Sequence, residues 1–214
     1  GLILFHGGLP GLAAFSSRLT YWRCSLWWWA FLIVGIPALV YGAVAIKGTL
    51  GEEPFPFDPW YGAIPALAIT LVIGPIEEFG WRGLALPLMQ RRMAPIWAAL
   101  TLGAVGAVWH VPAFLLSGTP QSAFSIVPFL LGIVAVSVIM TALFNASRGG
   151  RLLVAPVQKD RRKAMSDDQQ PWDLLMFGVA AVVVVGIYRE KMFARTGVTA
   201  VMPGADGERN DLVI

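Results

Sequence analysis

Charge is scarce in this sequence. Asp, Glu, Lys and Arg make up 14% of 214 residues, against about 25% in an ordinary soluble domain. With 57% hydrophobic residues and a mean hydropathy of +0.67, most of the chain has no water to face. Cysteine is nearly absent. The single Cys24 excludes an internal disulfide and any CxxC motif, and reads as a small apolar packer beside an interface. Histidine occurs only at His6 and His110, and no HExxH zinc motif occurs. No basic stretch precedes the opening apolar residues, so nothing there reads as a cleavable signal peptide. The net charge of +3, with its basic residues set between apolar runs, is not a nucleic-acid signal.

Long apolar runs are present instead. A helix needs roughly 20 mostly apolar residues to cross a bilayer. Candidate spans lie at about 24–46, 61–82, 95–116, 124–145 and 173–188. The predicted fold class is therefore all-α: a polytopic transmembrane helix bundle with about five complete spans. Residues 1–23 are read as a truncated apolar segment and basic loop, because the chain opens on Gly1 and its first apolar run is broken by Gly7, Gly8, Pro10 and Gly11. Residues 24–192 form the transmembrane domain, and 193–214 a polar tail. The apolar piece at 150–157 is too short to cross alone.

Charge asymmetry orients the spans by the positive-inside rule. Arg18 and Arg23 precede the first span, which opens on the interfacial cluster Trp27, Trp28 and Trp29. The loop at 47–59 carries Glu52, Glu53 and Asp58 with only Lys47 to balance them, which suits the outer face. Arg82, Arg91 and Arg92 return the chain to the inside, as do Arg148 and Arg151 after the fourth span. The pattern then breaks at Gln158–Gln170. If that charged run stays inside, Arg189 and Lys191 end outside. If the chain crosses before it, Lys159, Arg161, Arg162 and Lys163 are stranded outside. Neither arrangement obeys the rule.

Three features carry chemistry. Glu77 and Glu78 end a run from Ala63 to Ile76 with no charge, and ionisable groups at membrane depth are costly and mark function. Arg82 lies one helical turn after Glu78, in the favourable order for an ion pair. Glu77 points about 100° away, so one carboxylate can be held while the other acts as a base. The bland alternative is a buried ion pair with a spare Glu. His110 sits mid-span with Pro112 two residues on, which leaves the Val108 carbonyl without its helical donor. It is either a ligand or a hydrogen-bonded core residue. Asn145 ends the fourth span and is either a helix terminus or polar support. His6 reads as incidental.

Glu77-Glu78-Phe79-Gly80-Trp81-Arg82 resembles the EExxxR motif of the CPBP family, named for CAAX proteases and bacteriocin-processing enzymes. Val108-Trp109-His110-Val111-Pro112 resembles the family's second motif, except that Gly106 stands where an aromatic is expected. Leu143-Phe144-Asn145 with Gly149-Gly150 is similar to the end of the next family helix. The resemblance runs from about Arg18 to Val157 and resumes at Pro171. The family's last motif, a His with an Asn or His one turn later, is missing, since no His follows His110. A shifted reading frame or a real degeneration accounts equally for that gap.

The resemblance implies a membrane metalloendopeptidase in the cell membrane, with its site toward the cytoplasmic side. Glu77 would be general base, Glu78 and Arg82 its support, His110 a metal ligand or water-orienting group, and Asn145 oxyanion or polar support. The implied cofactor is a divalent metal, zinc first, on Glu77 and His110 in an incomplete set. The implied partners are membrane lipid and a peptide or prenylated-protein substrate, with no nucleic acid. Loss of the last motif predicts impaired activity. The alternative is a catalytically dead relative that binds peptide or protein. A transporter is disfavoured, because no paired broken helices recur in two halves. The spacing also makes one geometric demand: His110 and the EExxxR segment can meet only if the hairpin around Gln90 projects beyond the membrane.

Overall fold

A computed structural model describes residues 8–9, 24–48, 61, 78, 80–117, 124–147 and 170–194. These residues are helical apart from caps and turns, with no strand among them. Four helices are long and apolar enough to cross a membrane. They are α1 (Leu26–Lys47), α3 (Pro95–Leu115), α4 (Ile126–Ala146) and α5 (Gln170–Ile187). A shorter α2 covers 81–90 and a single turn, α6, covers Arg189–Met192. The expected spans at 24–46, 95–116, 124–145 and 173–188 thus stand with shifts of a few residues. The fifth, at 61–82, falls mostly outside the described residues, as do 150–157, 158–169 and the tail after 194.

Local sequence explains how these helices begin, bend and stop. α1 ends on Gly48, whose φ of 86° is the left-handed cap that glycine adopts without a Cβ penalty. Pro95 opens α3, where its missing N–H costs nothing. α1 and α2 each contain a π-helical turn, at Phe31–Gly35 and Trp81–Ala85. Pro37 and Pro87 lie just downstream, and the carbonyls they would clash with, those of Ile33 and Gly83, belong to these turns. Widening the helix there accommodates the proline ring.

α3 and α4 pack antiparallel and close. A Cβ on Gly103 would lie 2.9 Å from Val134 Cα and 3.0 Å from Ser137 Cβ. Ser137 Oγ donates to the Ala99 carbonyl at 2.9 Å. Small residues at Ala99 and Gly103 let the backbones approach, which is how helices associate without a hydrophobic drive between them. α4 is the central helix, with half of its most apolar stretch buried. α5 runs antiparallel to α1: Trp28 stacks on Tyr188 with ring centroids 5.5 Å apart, and Met176 Cε would lie 2.9 Å from a Cβ on Gly42.

The direction of α5 follows. α6 packs against α3, and its buried Met192 shares one hydrophobic cluster with Trp28, Ala94, Ile96 and Phe144. These residues belong to the first half of α1, the start of α3 and the end of α4. α5 therefore runs parallel to α4, and Arg189 and Lys191 lie at the same end of the bundle as Arg91 and Arg92. The chain leaves α4 at that end and re-enters at α5 from the other.

Candidate functional site

Glu78 is fully buried and Arg82 is 6% exposed. One guanidinium nitrogen, Nη1, donates to both carboxylate oxygens of Glu78, at 2.8 and 2.7 Å. The four-residue spacing read from the sequence is thus a real ion pair, held end-on through a single nitrogen. Arg82 Nε is buried with no hydrogen-bond partner among the described residues. Arg82 itself stands in the π turn of α2, and such turns are frequent at functional sites. Glu77 lies outside the described residues.

His110 stands in the last third of α3. Its Nδ1 is 2.6 Å from the carbonyl oxygen of Gly106, one turn back. A carbonyl only accepts, so Nδ1 carries the proton and Nε2 of the neutral ring keeps its lone pair. The ring also faces Phe129 of α4 at 5.6 Å between centroids. Phe129 in turn contacts Phe114 at 5.1 Å and Phe124 at 6.1 Å. His110 is therefore both oriented by its own helix and braced by an aromatic group.

The two motifs meet in depth through tryptophan. Trp81 and Trp109 make an edge-to-face contact with centroids 6.3 Å apart. Trp81 follows Glu78 by three residues and Trp109 precedes His110 by one. α2 and α3 run in opposite directions across the turn at 91–94, so the Glu78–Arg82 pair and His110 share one level of the bundle, within about one helical turn of roughly 5 Å. α2 stays helical to the buried Gln90, and Arg91 and Arg92 in the turn after it are exposed.

Asn145 is not brought to this level. It follows Phe129 by sixteen residues along α4, which is about 24 Å at ~1.5 Å per residue. Its Oδ1 is buried toward the other end of the helix, without a partner among the described residues. Among the described residues, no three His, Cys, Asp or Glu side chains gather to hold a metal. His110 Nε2 offers one donor, while both Glu78 oxygens are taken by Arg82. A zinc site needs three protein ligands, so the described residues do not fit one. Sequence reasoning missed the Gly106 carbonyl as a partner of His110, Phe129, and the Trp81–Trp109 contact. Trp81 lies inside the motif itself, but its partner could not be read from a linear pattern.

The long apolar helices indicate a multi-pass membrane protein, with a buried carboxylate–guanidinium pair among its described residues. Residues 59–157 match the family described as type II CAAX prenyl endopeptidase Rce1-like. CAAX prenyl protease 2 of Methanococcus maripaludis is 25% identical over 142 residues, covering 61% of this chain and 52% of that protein. Both comparisons support a likeness to the CPBP, or CAAX protease, family. It spans about half the length of the curated relative it matches. The family match ends at Val157, where the charged run begins.

Proposed function

We propose that this chain is the core of a membrane endopeptidase of the CAAX type, acting on the C-terminal peptide of prenylated proteins near the cytoplasmic face. The observation that carries the reading is the buried Glu78–Arg82 pair at the depth of His110, inside the family-matched region. Glu77 takes a proton from water, and the hydroxide oxygen bonds to the scissile carbonyl carbon. The C–N bond then breaks, and the proton passes to the leaving amine. His110, with Nδ1–H tied to Gly106, presents Nε2 to orient that water. Arg82 neutralises Glu78, so that Glu77 need not share its proton. A metal would lower the pKa of a bound water, but with the described residues not fitting a zinc set, no step depends on one.

The second reading, a binding module without turnover, is favoured by the charged run that starts where the family match stops. General base catalysis is worth about 100- to 10,000-fold, while one oxyanion donor is worth about 100- to 1000-fold. A chain lacking the last His and Asn is therefore expected to be slow. The test is cleavage of a membrane-anchored prenylated peptide by this chain, by Glu77→Ala and by a version with the last motif restored. Activity raised about 100-fold or more by restoration, and abolished by Glu77→Ala, supports the enzyme reading. Peptide binding with no cleavage in any version leaves the binding module.

A further inference from the structure

The side chain of Arg82 is only half explained by its ion pair. Nη1 serves both oxygens of Glu78, and this alone neutralises the carboxylate. Nε remains, a charged group's N–H sealed from solvent and donating to no described residue. A buried donor left unmade costs about 1–3 kcal/mol, and such groups in native structures call for an explanation. The pair is sited at the level of His110, with Arg82 in a π turn that widens the helix.

We propose that the Nε–H of Arg82 is a substrate donor that bonds the carbonyl oxygen of the peptide bond to be cut. The acceptor is a neutral carbonyl rather than a carboxylate, because Glu78 already matches the guanidinium charge. As charge develops on that oxygen during attack, a preorganised cationic donor in a water-poor site gains strength. Arg82 thereby supplies part of the stabilisation that the absent His and Asn leave wanting. Arginine is required for this. A lysine ammonium could replace Nη1 on Glu78, but it has no second, fixed N–H at the Nε position.

The inference rests on the endopeptidase reading, and the experiment separates the two. Two uncleavable analogues of a prenylated peptide are compared, a ketomethylene that keeps the scissile carbonyl and an ethylene isostere that lacks it. Binding to the full chain in nanodiscs is measured for the unmodified protein and for Arg82→Lys. The unmodified protein should favour the ketomethylene about 10- to 100-fold, and Arg82→Lys should abolish that preference. An equal preference in both proteins, or none in the unmodified one, overturns the role of Nε while peptide binding itself survives. Failure of both analogues to bind the unmodified protein overturns the substrate reading and the inference with it. Should Arg82→Lys fail to fold, the Arg82 Nε–H resonance of the unmodified protein decides. It should move on adding the ketomethylene and stay in place with the ethylene analogue, and equal responses to both overturn the proposal.

Discussion

Arg82 and Glu78 illustrate how unequal the two ways of breaking a buried ion pair are. Removing the cation strands a fully buried carboxylate, which costs about 3–5 kcal/mol. Replacing the anion by its neutral isostere strands the guanidinium charge in turn, but keeps a side-chain oxygen in place to accept from Nη1, whereas truncating Arg82 removes the partner altogether. Arg82→Ala is therefore expected to destabilise the protein far more than Glu78→Gln, as measured by melting in detergent. Equal losses would show that stranding a buried charge is not what makes the pair costly to break. Cys24 provides a second test outside the spans. Burial pushes its thiol above the ordinary range, and the thiolate is the reactive form. Alkylation of the folded protein at about pH 7.5, below the ordinary thiol range, should be slower than that of the unfolded chain, and should speed up as pH rises past that range. At this scale the sequence exposed the ion pair, since spacing on one helix fixes proximity. It could not expose the Nδ1 contact of His110, which depends on a rotamer, or the company of Phe129, which comes from another helix.

The close seam between α3 and α4 rests on Gly103, where a Cβ would meet the backbone of Val134. Backbone cannot swing away as a long side chain can. Gly103→Val is expected to cost about 1–3 kcal/mol through overpacking, read by equilibrium unfolding in mixed micelles. Gly178 in α5 has no described atom within 4 Å of its would-be Cβ, and Gly178→Ala should raise stability by about 0.5–1 kcal/mol through helix propensity alone. A similar loss at both positions would sink the packing account. The helices themselves were legible because twenty apolar residues have few other ways to satisfy their backbone. The π turns were not, although Pro37 and Pro87 marked where the helices had to open.

Across the whole molecule, Arg91, Arg92, Arg189 and Lys191 gather at one end of the bundle, with exposed Trp27 and Trp97 nearby. Exposed indoles beside cations are what a membrane interface takes. Single cysteines placed at Arg92 and Lys191 in a Cys24→Ser background should be labelled from the same side of sealed vesicles, and one at Gly48 from the opposite side. Labelling of Lys191 together with Gly48 would refute the parallel α4 and α5. Residues 148–169, which link α4 to α5, lie outside the described residues. They include Lys159, Asp160, Arg161, Arg162, Lys163, Asp167 and Asp168, which hydrocarbon does not accept singly, still less together.

The amino-acid sequence by itself determined that the chain is helical and membrane-embedded, where most spans run, and that Glu78 pairs with Arg82. Each of these depends on composition or on spacing within one helix. The tertiary structure alone decided which ends of the helices lie together. It brought Trp81 to Trp109 and so set the two motifs at one depth, and it left Asn145 a helix length from His110. It also turned α5 parallel to α4. The reason is physical: apolar runs in lipid are nearly interchangeable in hydropathy, so neighbours and directions are chosen by shape, by small residues such as Ala99 and Gly103 and by buried aromatic contacts, none of which a one-dimensional pattern records.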